Sequence, residues 1–307
     1  MVNDPPIVSI GLPVFNGEQF LEEAIDSLLA QTYTNFELII SDNASSDRTS
    51  EICQSYQARD ARVRCHRNET NIGGANNANL VFRMSRGKYF HWAAHDDVCA
   101  PQLIEKCVDD LERDPSLILS YGQTIDINEK GQVISLRKVK LGESPTPHQR
   151  LWELSDRDHL CEVMYGVIRS DVLKTTRLFQ SYTGSDRTLL SELGLRGKYH
   201  QLQEPLFYKR HHPRNSYWDM RTRMAWFDEK FVGKAVMPNW IQIGDYFVTV
   251  HRVQLAPGEK MLCYLTTLGP IILRARRDLL SDLKFAITMN LHSVAWRKKR
   301  YTETMNW

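Results

Sequence analysis

The chain has 307 residues, 42% hydrophobic and 25% charged, which is enough to bury a sizeable core in one large domain or one and a half and excludes wholesale disorder. Thirty-nine Lys and Arg against 37 Asp and Glu leave +2, too balanced for a broad grip on nucleic acid, so no nucleic-acid partner is expected. The balance is uneven, with ten basic and four acidic residues over 252–307, so any basic partner surface belongs at the C-terminal end.

In chain order, residues 7–12 (IVSIGL) form a nearly continuous apolar run, the pattern of a strand buried on both faces of a parallel sheet. Pro13 and Gly17 punctuate a turn. Leu21, Ala24, Ile25, Leu28 and Leu29 then repeat at helical spacing behind Asn16, a good N-cap type, so a helix is expected over 18–30. The unit recurs as strand 36–40, loop 42–47 and helix 48–57, and again as strand 63–66, loop 68–74 and helix 75–84. A fourth strand, 88–93, ends at His95-Asp96-Asp97, before a helix patterned by Ile104, Cys107, Val108 and Leu111. Four β-α rounds in about 113 residues predict an α/β fold with a doubly wound, mostly parallel sheet, because parallel neighbours require crossovers and helices fill them.

The second half predicts a mixed sheet. Residues 117–127 and 132–136 form a strand pair turned at Glu129-Lys130-Gly131, 163–169 is another strand, 186–195 a helix, and 206–208 a last strand before Arg210-His211-His212-Pro213. Beyond Met224 the pattern is helical only, carried by Trp240, Ile243, Phe247 and Val250 and then by Leu279, Leu280, Leu283 and Ile287. A boundary near 225 therefore separates a nucleotide-binding and catalytic part, 1–225, from a C-terminal helical extension, 226–307.

Six cysteines lie far apart without a CxxC pair, so neither a zinc knuckle nor a disulfide framework is readable, and a reducing cytoplasm is the expected location. The first residues have no basic segment before an apolar stretch, so no secretory leader is expected. The apolar run 261–273 spans 13 residues and is broken by Gly269-Pro270, against roughly 20 needed to cross a bilayer.

In an open α/β sheet, ligands bind outside the carboxyl ends of the parallel strands. Three polar loops meet that condition, at Pro13 to Gly17, at Ser41-Asp42-Asn43 and at His95-Asp96-Asp97. Neither GxGxxG after the first strand nor GxxxxGK[ST] is present, so a dinucleotide grip and a P-loop are unsupported. Adjacent Asp96 and Asp97 would repel phosphate directly but would serve if Mn²⁺ or Mg²⁺ bridged them to a diphosphate.

Taken together, PVFNGE, SDNASSDRT, NIGG, GKYFHWAAHDD, SDRTLLSEL and LFYKRHH, in that order over residues 6–215, resemble family 2 glycosyltransferases of the GT-A fold, of the non-processive type. The resemblance implies a nucleotide-sugar donor, with Asp42 accepting a hydrogen bond from the nucleobase imide and Pro13, Val14, Phe15 and Asn16 shaping the base pocket beside Asn71. It gives Asp96 the ribose or sugar hydroxyls and Asp97 the metal. His95 stands where an acid is frequent, which weakens the ribose contact. Asp186 matches the general base of inverting members, at the first turn of a helix anchored by Leu189, Leu190 and Leu193. Ser185 stands before it where many relatives carry a second acid. Arg210 falls to the donor diphosphate and His212 to the metal or diphosphate, while Glu162, Tyr165 and Gly166 match the acceptor border.

The implied reaction is a metal-dependent inverting transfer from a nucleoside-diphosphate sugar, UDP or dTDP favoured, to a hydroxyl of a cell-surface glycan or lipid-linked acceptor. A sugar-nucleotide nucleotidyltransferase would instead carry a Gly-rich GxGxR-like loop where LPVFN stands, and a non-catalytic sugar-nucleotide binder would fail to bind metal. A processive synthase would need QxxRW, and Trp296-Arg297 lacks the glutamine. Arg274, Arg276 and Arg277, then Arg297-Lys298-Lys299-Arg300 with Trp296 and Trp307, fit peripheral contact of 270–307 with an anionic membrane face. The spacing of Trp240, Ile243, Phe247 and Val250 fits a homodimer seam equally well.

Overall fold

The computed structural model describes residues 6–137, 140–155, 161–213 and 236–291. The first half alternates as expected: β1 (Val8–Val14), α1 (Leu21–Leu29), β2 (Phe36–Asp42), α2 (Thr49–Arg59), β3 (Val63–Arg67), α3 (Gly74–Arg83) and β4 (Tyr89–Trp92). β1 pairs in parallel with β2 and β4, and β2 with β3, so β1 is interior and all its residues except Pro13 are buried. This is why it reads as an unbroken apolar run rather than an alternating one.

Asn16 does not cap α1. It adopts φ 50°, and the helix begins after Phe20 without a side-chain cap. Its amide joins the loop after β2 instead: Oδ1 accepts from Ser46 N at 2.9 Å, while Asn16 N donates to Ser45 Oγ at 2.9 Å.

The second half adds β5 (Val98–Cys99), α4 (Leu103–Arg113), β6 (Leu117–Asn128), β7 (Val133–Arg137), α5 (Pro147–Leu154), β8 (Val167–Arg169), α6 (Ser170–Lys174), α7 (Ser185–Arg196) and β9 (Lys198–His211). The nine-stranded sheet runs β3-β2-β1-β4-β8-β6-β9-β5, with β7 on β6. It is mixed from β4 onward, since β8 is antiparallel to β4 and β6, β9 is parallel to β6, and β5 is antiparallel to β9. The strand expected over 163–169 opens as a 3₁₀ turn, Glu162–Tyr165. The strand expected over 206–208 is the end of the 14-residue β9.

The extension forms α8 (Pro238–Arg252), α9 (Pro257–Thr266) and α10 (Ile272–Leu291), the last two joined by a π-helical turn, Thr267–Ile271, that accommodates Pro270. Ile243 and Val250 of α8 pack within the chain against Cys263, Ile271, Ala275 and Leu279, and against Leu151 and Leu195 of the sheet's helices. The stripe read as a dimer seam is thus engaged internally, which removes the basis for that expectation. The boundary near 225 and the basic-aromatic segment 296–300 lie outside the described residues.

Candidate active site at the carboxyl edge of the sheet

The order β2-β1-β4, all parallel, brings the three polar loops to one edge. The loop after β1 touches both neighbours. Gly17 N donates to Thr49 Oγ1 at 2.9 Å on the β2 side. On the β4 side, a Cβ on Gly17 would stand 2.8 Å from His95 Cδ2, so only glycine permits this approach.

Asp42 ends β2 directly beside Val14 and is 2% exposed. Its Oδ1 accepts from Ser45 N at 2.9 Å, and Oδ2 is paired with the Arg67 guanidinium. Behind it lies a buried amide network: Asn43 Nδ2 donates to Asn71 Oδ1 at 2.7 Å, and Asn43 Oδ1 accepts from Asn68 Nδ2 at 2.9 Å. Asn68 Nδ2 also donates to Asn77 Oδ1 at 3.0 Å. Of this set Asn71 and, through the loop after β2, Asn43 were expected at this edge. Arg67, Asn68 and Asn77 were not singled out and come from the end of β3, the loop after it and α3.

The two aspartates after β4 diverge. Asp97 is turned inward, 3% exposed: Oδ1 accepts from Arg210 N at 2.8 Å and Oδ2 lies 3.4 Å from Lys209 Nζ. Burial pushes its carboxyl up to about 6, with Asp96 adding to the rise and Lys209 opposing it. Asp96 is half-buried and its Oδ2 lies 3.0 Å from His212 Nε2. Burial would raise its pKa, but His95, the His212 hydrogen bond and Lys209 outweigh that and hold it below the ordinary carboxylate range.

Lys209, which sequence reasoning passed over, lies 3.4 Å from Asp97. Burial opposes its charge, yet Asp97, Tyr165, Asp96 and Glu162 keep its pKa above the ordinary value. Tyr165 stacks on Phe207 at 4.8 Å, and its phenol lies within electrostatic reach of Lys209, Asp97, Asp96 and Asp186 together. Asp186 sits in the first turn of α7 after Gly184, half-buried next to Cys161. The fold therefore gathers Asp96, Asp97, His212, Lys209, Tyr165 and Asp186 around one edge.

Three expected site residues have partners within the fold. The Arg210 guanidinium is 1% exposed and lies over the Phe20 ring, with Nε donating to Asp96 O at 2.9 Å, Nη1 to Glu129 O at 3.0 Å and Nη2 paired to Glu23 at 2.7 Å. It braces the loops instead of facing the donor. Gly166 lies inside the sheet, where its carbonyl faces His91 Nδ1 at 3.1 Å and a Cβ would meet Ser120 O at 2.4 Å, so close packing of backbone accounts for it. Glu162 accepts from Arg137 Nη1 at 2.8 Å.

A divalent cation suits the Asp96–His212 pair better than Asp97. One carboxylate and one imidazole, 3.0 Å apart, are a donor set that Mn²⁺ would accept. His212 Nδ1 is buried without a partner among the described residues. No group of three or more His, Cys, Asp or Glu side chains forms a metal cage among the described residues, so the remaining ligands would come from phosphate and water.

Comparison with known proteins places these residues in context. The family model described as "Glycosyl transferase family 2" matches residues 9–172. An uncharacterised glycosyltransferase of Rickettsia prowazekii is 41% identical over 108 residues, 35% of this chain and 33% of that protein. The chondroitin synthase of Escherichia coli is 34% identical over 130 residues, 42% of this chain and 19% of that protein. The chain thus spans a third or less of the length of these relatives. Among solved structures, S. aureus TarS 1–349 superposes with TM-score 0.64 at 15% identity, covering 92% of this chain and 80% of that one. A Pyrobaculum calidifontis mannosyltransferase in complex with GDP-Man and Mn²⁺ superposes at 0.58 and 14% identity, covering 98% and 80%. At these identities the likeness establishes a shared fold.

Proposed function

Since the chain belongs to glycosyl transferase family 2, we propose that it moves a sugar from a nucleoside-diphosphate donor, UDP or dTDP favoured, to an acceptor hydroxyl with inversion at the anomeric carbon. The observation that carries this reading is the gathering of Asp96, Asp97 and Asp186 around Tyr165, with His212 paired to Asp96, at the edge where Asp42 ends β2. Asp42, walled by Pro13 to Asn16, takes the base, and the buried amides around Asn71 fix the loop that supports it. TarS has been crystallised with UDP-GlcNAc and the mannosyltransferase with GDP-Man, which supports a sugar nucleotide as the class of donor.

Asp96 and His212 hold the cation, and Asp97 locks β9 beneath them through Arg210 N. This exchanges the two aspartates relative to the expectation that gave Asp97 the metal. When bound, a divalent ion neutralises charge on the departing diphosphate. Lys209 adds a fixed positive charge behind the carboxylates. Asp186, in the first turn of α7, takes the acceptor proton as the hydroxyl attacks. The acceptor is a cell-surface glycan or lipid-linked hydroxyl, entering past Glu162 and Tyr165.

A donor panel read by released nucleoside diphosphate, with and without Mn²⁺, tests the assignment. Asp186→Asn is expected to leave donor binding in calorimetry within about twofold while turnover falls by about 10²–10⁴-fold, the range of a lost general base. Undiminished turnover assigns the proton to another group, and no donor binding by the unaltered chain removes the whole reading.

A further inference from the structure

α9 and α10 present an outer face whose apolar side chains are exposed. On α10, Leu273, Leu280, Leu283 and Ile287 are 40–61% exposed. The spacing of 273, 280 and 287 by seven residues aligns them on one side of the helix. Arg276, Arg277 and Lys284 are exposed alongside them. On α9 and the turn that follows, Met261, Leu262, Leu265 and Leu268 continue the apolar surface at 43–58% exposure. The carboxylates are turned away: Asp282 is fully buried and accepts from Asn239 N at 2.8 Å and Asn239 Nδ2 at 2.9 Å, and Asp278 is half-buried. Among the described residues 261–288, no exposed position is acidic.

We infer that this face docks on an anionic lipid surface, lying along it rather than passing through it. An apolar stripe threaded by cations of one sign matches a bilayer whose headgroups are negative and whose acyl region begins just beneath them. A second copy of the chain fits poorly, because a twofold contact would set Arg276, Arg277 and Lys284 against their own equivalents. No helix among the described residues is long and apolar enough to cross a membrane, which agrees with surface docking. The sequence continues the pattern at Trp296 and Arg297-Lys298-Lys299-Arg300.

The test is co-sedimentation of the full chain with vesicles of phosphatidylethanolamine containing phosphatidylglycerol, against vesicles of phosphatidylcholine alone. The unaltered chain is expected to bind the anionic vesicles, with binding weakened by salt. The double substitution Leu280→Glu and Ile287→Glu is expected to weaken binding by roughly 100-fold or more, with the thermal transition unchanged. Charge removal by Arg276→Gln and Arg277→Gln is expected to cost about fivefold per residue on anionic vesicles only. Equal binding to phosphatidylcholine, no binding by the unaltered chain, or unchanged binding by the double variant would overturn the inference. Sedimentation equilibrium supplies the remaining arm: a self-associated species that the Leu280→Glu and Ile287→Glu variant dissociates would assign the face to a second copy instead.

Discussion

His91 of β4 offers a quantitative check on the core beneath the site. Its side chain is fully buried, with Nδ1 facing the Gly166 carbonyl at 3.1 Å and Nε2 3.8 Å from the Cys99 thiol. Burial disfavours the imidazolium and holds the pKa at about 4 against an ordinary 6.5, with the Gly166 carbonyl offsetting part of that drop. Between those values the unfolded chain takes up a proton that the folded one refuses. The contribution of this group to stability is thus fully present above about 6.5, falls as pH drops through the window and levels off below about 4. A difference of about 2.5 pH units at 1.36 kcal/mol each amounts to roughly 3 kcal/mol. His91→Asn keeps an amide N–H near the Nδ1 position for Gly166 while removing the titrating ring. Urea unfolding from pH 7 to pH 4 is expected to give a pH dependence shallower by about 3 kcal/mol in the variant, superimposed on a constant loss from the smaller side chain. Parallel curves for the two proteins would refute the reasoning, since the proton uptake would then lie elsewhere.

The link between α8 and the helix that carries Asp186 gives a second expectation. Asp245 holds Arg177 and accepts from Tyr182 Oη at 2.6 Å, and Gln242 Nε2 donates to Gly184 O at 2.9 Å just before α7. Asp245→Ala leaves buried partners uncompensated, so about 3–5 kcal/mol should be lost and scanning calorimetry should show a midpoint lower by about 5–8 °C. An unchanged midpoint would mean that the pairs are dispensable. For the two adjacent histidines, His212→Gln should reduce the Mn²⁺-dependent part of UDP affinity by about tenfold or more, whereas His211→Gln, on the far side next to Asp126, should not. Calorimetry giving equal losses for both would dismiss the Asp96–His212 pair as the cation site.

The first four β-α rounds were legible because each strand is buried on both faces and each helix on one, which writes the period into the sequence directly. Where burial depends on distant partners, the reading failed. Asn16 looks like a cap because of its residue type, but the loop after β2 offers it Ser45 and Ser46, and those bonds hold it in a left-handed turn ahead of the helix. α5, over Pro147–Leu154, gave no usable signal because its buried side includes Arg150, whose Nε donates to Gly194 O at 2.6 Å. At the site, the individual acids were identifiable from sequence but not their orientation. Asp96 and Asp97 are neighbours of the same type, and only the arrival of β9 from more than a hundred residues later decides which is buried.

That arrival follows from strand geometry. Residues 209 to 212 read Lys-Arg-His-His, a run that suggests one basic cluster clasping one anion. Successive residues of an extended chain point to opposite sides, and the run divides accordingly. Arg210 and His212 both meet Phe20, at 4.8 Å and 4.9 Å, on the side of α1. Lys209 lies near Tyr165 and His211 is paired to Asp126, on the side of the β6–β7 ribbon. The division assigns one partner to each cation: Asp97 to Lys209, Glu23 to Arg210, Asp126 to His211 and Asp96 to His212. Of the first three partners Asp97 and Asp126 are buried and Glu23 is exposed. If the His212–Asp96 pair holds the cation as proposed, a stretch of four basic residues contributes one side chain to that site and three to the frame around it.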